Sequence, residues 1–247
     1  MPHIELFEGE RVDDLQYKGL KIIQHESLFR FGTDSVLLAG FSSLNKNERA
    51  VDLGSGSGIL SILINARFGC PVIGIEIQDA FVSMANRSAV MNGQENVRFL
   101  NLDVRDAPAQ LGDGAFDVGI CNPPYFDVTT TNSSQNMAIS RHTTACSLED
   151  IIKSAKRLIR HGGRLYIVYP ATRLFILSNV LSSQRLEIKR YRLVMTSANA
   201  DPYLVLIEAR RGGKPGAIAM PPLILHQENG AYTPEAREIY HIAGNTF

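Results

Sequence analysis

Residues 10–25 alternate apolar and polar side chains. Val12, Leu15 and Tyr17 precede a Lys18-Gly19 turn, and Leu20, Ile22 and Ile23 follow it, which predicts a β-hairpin. Thr33 then stands where an N-cap would open a helix through Val36, Leu37, Leu38 and Phe41. Beyond a polar gap at 42–48 the period switches back and forth. Short apolar runs at Ala50–Leu53, Pro71–Ile77, Val97–Leu100 and Phe116–Cys121 read as buried strands. Between the first three lie a helix over Ile59–Phe68 and another that Asp79 would cap and Asn92-Gly93 would close. Residues 122–144 show no period and read as a long loop, a kind of segment that compact domains usually keep for function. Ser147-Leu148-Glu149-Asp150 resembles a capping box with Asp in the Glu position, opening a helix expected to end at His161-Gly162-Gly163. Then come a strand at Leu165–Tyr169, a helix near 171–182, strands near 186–195 and 203–210, and a proline-bearing tail with a late helix.

Strands alternating with helices of 10–15 residues predict a mostly parallel sheet covered on both faces, a doubly wound α/β domain. No helix-length segment separates the last two strands, so the final one is expected to be antiparallel. The expected divisions are an N-terminal hairpin and helix at 1–48, the α/β domain at 49–212, and a tail at 213–247 packed on that domain.

Composition narrows the class. The chain has 247 residues, is 45% hydrophobic, and balances 25 Lys and Arg with 25 Asp and Glu. These values suit a globular core and exclude collagen, coiled coil and disorder. No apolar run reaches the roughly 20 residues of a membrane span. Met1-Pro2-His3-Ile4-Glu5 lacks a basic segment followed by an apolar one, and the three cysteines form no CxxC pair. A reducing cytoplasm, without disulfides or structural zinc, is the expectation. The zero net charge conceals segregation. Residues 1–140 carry 10 Lys and Arg against 17 Asp and Glu, a net of −7, whereas residues 141–215 carry 14 against 5, a net of +9. Such a basic stretch is either a solvated face or a surface for a polyanion.

Candidate chemistry begins at Val51-Asp52-Leu53-Gly54-Ser55-Gly56-Ser57-Gly58, a strand passing through glycines into a helix. Glycines there let the backbone turn sharply and approach a ligand. Glu76, 18 residues past Gly58 at the end of the next strand, could accept hydrogen bonds from a ribose diol. A nicotinamide dinucleotide and S-adenosylmethionine both fit this much. The G-x-G-x-G spacing is not the G-x-G-x-x-G that seats a pyrophosphate, and Asp52 before the loop would repel one but suit an ammonium. S-adenosylmethionine is therefore favoured. Asp103, after the third strand, could accept from the cofactor's adenine amino group.

The fourth strand runs into Asn122-Pro123-Pro124-Tyr125-Phe126. Proline fixes φ and removes backbone donors, leaving carbonyl acceptors. The Asn122 side-chain oxygen and the Pro123 carbonyl could accept both hydrogens of a planar –NH2. That would favour a pyramidal nitrogen with a freed lone pair aimed at a methyl sulfonium. Tyr125 could stack on a flipped-out base.

These motifs resemble the class I S-adenosylmethionine-dependent methyltransferases, and among them the amino-methylating enzymes with an N/D-P-P-Y motif. Phe29-Arg30-Phe31-Gly32-Thr33-Asp34-Ser35-Val36-Leu37-Leu38, Arg141-His142, Gly212-Gly213-Lys214-Pro215 and Pro221-Pro222-Leu223 are similar to the bacterial family that methylates adenine N6 beside the anticodon of tRNA(Val). The likeness runs from about residue 10 to 235. It implies a seven-stranded Rossmann-like sheet, with Gly32 and Thr33 at the cofactor's methionine end. Asp52, Gly54, Gly56 and Glu76 would hold its amino acid and ribose, and Asp103 its adenine. Asn122, Pro123 and Tyr125 would handle the target base, with Asn122 between base and cofactor. The acidic last 30 residues, with Tyr232-Thr233-Pro234 and His241, need not follow the family's RNA surface.

Methylation of a tRNA adenine is thus the leading reading, with tRNA as partner and no metal. Arg141, Lys189, Arg190, Arg192 and Lys214 are candidate phosphate contacts, expected on the side where Tyr125 emerges. A protein-glutamine N5-methyltransferase would use the same motif, but its resemblance implies a helical substrate domain ahead of the glycine loop, where only about 50 residues stand. A catalytically silent RNA-binding module has no use for the acceptor pair. DNA adenine stays open, since nothing in the sequence senses a 2′-hydroxyl.

Overall fold

The computed structural model describes residues 4–26, 33–124 and 146–241. The hairpin is β1 (Glu10–Asp14) and β2 (Lys21–His25), antiparallel in a sheet of its own. The helix α1 (Asp34–Phe41) leads into β3 (Ala50–Leu53), α2 (Ile59–Phe68), β4 (Val72–Glu76), α3 (Asp79–Met91), β5 (Val97–Asn101), α4 (Ala107–Leu111) and β6 (Phe116–Cys121). After the undescribed stretch come α5 (Leu148–Leu158), β7 (Ile159–Pro170), a 3-10 turn at Ala171–Arg173, and α6 (Leu174–Ser183). Then follow β8 (Leu186–Met195), β9 (Leu204–Arg211), β10 (Ile218–Ala219), β11 (Leu223–Ile224) and α7 (Pro234–Tyr240).

The main sheet has the order β10-β8-β9-β7-β6-β3-β4-β5, with β11 also paired to β8. It has nine strands rather than seven, because the tail adds two two-residue strands beyond β8. Pairings among β5, β4, β3, β6 and β7 are parallel, and β9 is antiparallel to both β7 and β8, as expected for the last long strand. The carboxyl ends of β3 to β8 therefore share one edge, the edge at which such sheets bind ligands.

Each face is sealed by its own core. Alternate residues such as Val118, Ile120, Tyr166, Val168, Leu204 and Leu206 meet α1, α2, α3 and α7. Their neighbours Leu53, Cys121, Leu165, Ile167, Val205 and Ile207 meet α5 and α6. That alternation follows from the two-residue side-chain period of a strand. Ser147 accepts from Asp150 N–H at 3.1 Å and the Asp150 carboxylate accepts from Ser147 N–H, so the capping box forms with Asp in place of Glu.

Two expected boundaries move, and one expected cap holds its place but not its bond. Asp79 is the first residue of α3 and not its cap, since the chain is still extended at Gln78. Thr33 occupies the N-cap position of α1, but its side chain makes no capping bond and pairs with the Tyr240 hydroxyl. The helix expected to reach His161-Gly162-Gly163 stops at Leu158, because fully buried Ile159 already pairs with Phe116 of β6. No described helix is long and apolar enough to cross a membrane.

Candidate functional site

Between β3 and α2 the chain turns with Gly54 at φ +75°, Gly56 at +52° and Gly58 at +89°. A Cβ built on Gly54 or Gly56 meets nothing within 4 Å, so this side of the turn is open. A Cβ on Gly58 would instead lie 2.5 Å from Phe99 Cζ, so that glycine is required by packing as well as by its left-handed backbone. The N–H groups of Gly54 and Ser55 both donate to the Ile75 carbonyl at 2.9 Å, pinning the turn to β4.

Glu76, 7% exposed, closes the bottom of this cradle. Its Oε2 accepts from Gly56 N–H at 3.0 Å and its Oε1 from Gln78 N–H at 2.9 Å. One carboxylate thus staples the glycine turn to the start of α3 and keeps acceptor capacity on both oxygens. Burial raises its pKa, and the backbone donors oppose that rise.

Asp52, the aspartate expected against an ammonium, lies in β3 just before the turn. It is 1% exposed, and Ser61 Oγ of α2 donates to its Oδ2 at 2.7 Å. Desolvation pushes its pKa up to about 7, against the pull of the Ser61 bonds. The carboxylate supports the turn from beneath. Asp103 is held by Arg105, whose N–H, Nε and Nη2 all donate to it at 2.5–3.1 Å. That pairing lowers the Asp103 pKa and occupies most of the lone pairs expected to serve an adenine.

Asn122 leaves the end of β6 on the same edge. Its Nδ2 donates to Ser35 Oγ of α1 at 3.1 Å. Cys121, just before it, donates its Sγ–H to the Leu53 carbonyl at 3.2 Å, linking the ends of β6 and β3. Pro123 is buried and Pro124 exposed. The structure therefore brings together Thr33, Gly54, Gly56, Glu76, Asp103, Asn122 and Pro123 on one edge, with Asp52 under it. Gly32 and Tyr125, like Phe126, Arg141 and His142, lie outside the described residues. Sequence reasoning passed over Ser35 and Ser61, whose contacts join positions 87 and 9 residues apart.

Among the described residues, the candidate phosphate contacts Lys189, Arg190, Arg192 and Lys214 are not gathered on this edge. Arg190 donates to Glu208 at 2.6 Å and to the Phe41 carbonyl at 3.1 Å, with its guanidinium 4.5 Å from the Phe41 ring centroid. Arg192 is bound to Glu235 and to the Pro221 carbonyl, and Lys189 to the carbonyls of Lys214 and Gly216. Arg192 and Lys189 thus hold the tail onto β8, and Arg190 ties β8 to β9 and α1. Among the described residues, no group of three or more His, Cys, Asp or Glu could hold a metal ion.

A family model described as "Methyltransferase domain" matches residues 44–216. The tRNA1(Val) (adenine(37)-N6)-methyltransferase of Porphyromonas gingivalis is 28% identical over 235 residues, covering 90% of this chain and 91% of that protein. The protein of the same name from Dickeya chrysanthemi is 27% identical over 232 residues, covering 90% of each. Among solved structures, one described as a predicted O-methyltransferase of Agrobacterium tumefaciens superposes with a TM-score of 0.71 at 23% identity, covering 84% of this chain and 95% of that one. The glycine turn, its acidic staple and the strand order agree with the family match across most of the chain: it belongs to the methyltransferase domain family.

Proposed function

We propose that the protein transfers a methyl group from S-adenosylmethionine to N6 of an adenine in tRNA(Val), beside the anticodon. The observation that carries this reading is Asn122-Pro123 at the carboxyl end of β6, on the same edge as an open glycine turn stapled by Glu76. The named activity of relatives matched over about 90% of the chain supplies the substrate.

The open space above Gly54 and Gly56 and the adjoining Glu76 carboxylate suit the cofactor, whose bound form supplies an electrophilic methyl sulfonium. Glu76 would accept from its ribose hydroxyls. Asp52 would act through the turn, and Asp103 would meet the adenine with the acceptor capacity that Arg105 leaves. Asn122 Oδ1 and the Pro123 carbonyl would accept the two hydrogens of the target amino group. Two acceptors disfavour the planar, conjugated nitrogen and direct its lone pair outward, which is catalysis by positioning and electrostatics. No base is required before attack, because the N–H becomes acidic once the nitrogen carries positive charge. Gly32, Thr33 and Tyr125 are assigned to the cofactor's methionine end and to base stacking. The same reading places the protein in the cytoplasm, with tRNA.

The test is incubation with labelled S-adenosylmethionine and a tRNA(Val) transcript, followed by nucleoside mass spectrometry. N6-methyladenosine from the anticodon loop is the expected product. Label in a protein glutamine, or none in the RNA, would overturn the assignment.

A further inference from the structure

The helix α6 follows the carboxyl end of β7, and β7 lies beside β6 with Ile167 opposite Cys121. Its first turn therefore stands on the same edge as Asn122 and Pro123, one strand away. Leu174, Leu177, Val180 and Leu181 recur at helical spacing and pack into the core of that face. Two apolar side chains of the first turn are left out of that stripe. Phe175 is 85% exposed, more than any other large hydrophobic residue described, and Ile176 beside it is 57% exposed. Helical side chains lean toward the N-terminus of their helix, which carries both toward the ligand edge.

A single surface apolar residue needs no explanation, but a contiguous pair at the lip of a site marks a contact surface. Size decides what covers it. Two side chains expose far less than the about 800 Å² per partner of a stable protein interface, so neither a second copy nor a protein substrate is fitted. One nucleobase is fitted, because an unpaired base presents a flat π-face, and stacking on an aromatic ring needs no cation. That property matters here, since Lys189, Arg190, Arg192 and Lys214 do not serve this edge. A base drawn out of its stack into the site also leaves its neighbours without a stacking partner, and Phe175 stands close by to replace it. We infer that Phe175 is a stacking platform for an unpaired RNA base near the target adenine, with Ile176 extending the apolar floor beside it.

This inference rests on the tRNA-methylation reading, and parent and variants test the two separately. A parent that leaves the tRNA(Val) transcript unmethylated would sink the reading, and the inference with it. With an active parent, Phe175→Ala should raise the KM for the transcript about 10-fold, with kcat and the calorimetric affinity for S-adenosylhomocysteine changed less than about 3-fold. Phe175→Leu, apolar but without a ring, should behave like Phe175→Ala, whereas Phe175→Trp should keep the parental KM or lower it. The chain has no tryptophan, so Phe175→Trp also installs a single reporter. Its emission in the free protein should be that of a water-exposed indole. An anticodon stem-loop should quench it, and a fully paired duplex of equal length should not. A parental KM in Phe175→Ala, full recovery in Phe175→Leu, an emission unmoved by the stem-loop, or equal quenching by the duplex would overturn the role. So would an indole already shielded before RNA is added, which would show the ring covered by this chain or by a second copy.

Discussion

The two ends of the sheet carry opposite charge. At the carboxyl ends of the parallel strands the described residues include Asp34, Glu76, Asp103, Glu149, Asp150 and Asp201, against Arg105 and Arg173. Where the strands begin, Arg157, Arg160, Arg164 and Arg185 gather, joined by Arg210 and Arg211 at the end of antiparallel β9. Several of these cations are paired: Arg157 with Asp113 at 2.9 Å, Arg160 with Asp117 and Arg164 with Glu48 at 2.6 Å each. A cleft of about 340 Å³ between Arg164, Arg190 and Glu208 lies on this second edge. The basic half of the sequence is thus answered by acids from the other half, across β6 and β7. Segregation of charge along the chain reports which strand ends meet, and it does not by itself reveal a partner. The acidic edge suits a cofactor carrying an ammonium and a sulfonium.

Breaking the acidic edge should have the largest consequences. Asn122→Ala is expected to cut turnover by about 100-fold or more while S-adenosylhomocysteine binding stays within a few-fold, measured by single-turnover kinetics and calorimetry. Loss of both together would recast Asn122 as a structural residue. Glu76→Ala should weaken cofactor affinity by about 1.5–3 kcal/mol for each hydrogen bond lost, read by calorimetry on a folded variant. An unaltered affinity would reduce Glu76 to a staple between two loops.

Asp52 sharpens the comparison through pH. Its carboxyl pKa is raised from 3.8 to about 7 by burial, so the folded state binds the proton more tightly than the unfolded chain does. Its contribution to stability is therefore present at low pH and lost as pH rises from about 4 toward 7. Asp52→Asn, which does not titrate, should match the parent near pH 4 and exceed it at pH 8 by about 4 kcal/mol, seen as a widening gap in Tm. A gap independent of pH would mean that Asp52 stays charged in the fold.

At the basic edge the effects should be small. Arg157→Ala and Arg160→Ala remove exposed ion pairs and should each cost less than about 1 kcal/mol, with KM for the transcript unchanged. A marked rise in KM with either variant would assign RNA contact to this edge and reverse the comparison.

Much of this arrangement was legible in the sequence. Apolar runs bounded by glycine gave β3, α2 and β6 nearly to the residue, because a buried parallel strand has few ways to be written. Gly54, Gly56 and Glu76 were legible as a site because their spacing places a turn and a carboxylate at neighbouring strand ends. Other features depend on partners far along the chain. The end of α5 is set by Phe116, 43 residues before Ile159. The short strands β10 and β11 exist only because β8 offers an edge, and two residues cannot display a period. α4, five residues with a proline in its first turn, is too short for an amphipathic stripe. Ser61 and Ser35 look like ordinary helix serines until the fold sets a carboxylate and an amide before them.

The ring of Phe99 ties three positions into one heritable unit. A Cβ at Gly74 would lie 2.3 Å from its Cδ1, just as one at Gly58 would strike its Cζ. Among descendants of this gene, Gly74 can enlarge only after residue 99 has shrunk, whereas Gly58 stays bound by its left-handed backbone whatever happens at 99. The order in which such changes accumulate is thereby constrained: a lineage that first enlarges Gly74 also presses on Ser55 of the glycine turn, whose Oγ would lie 2.9 Å from the new carbon.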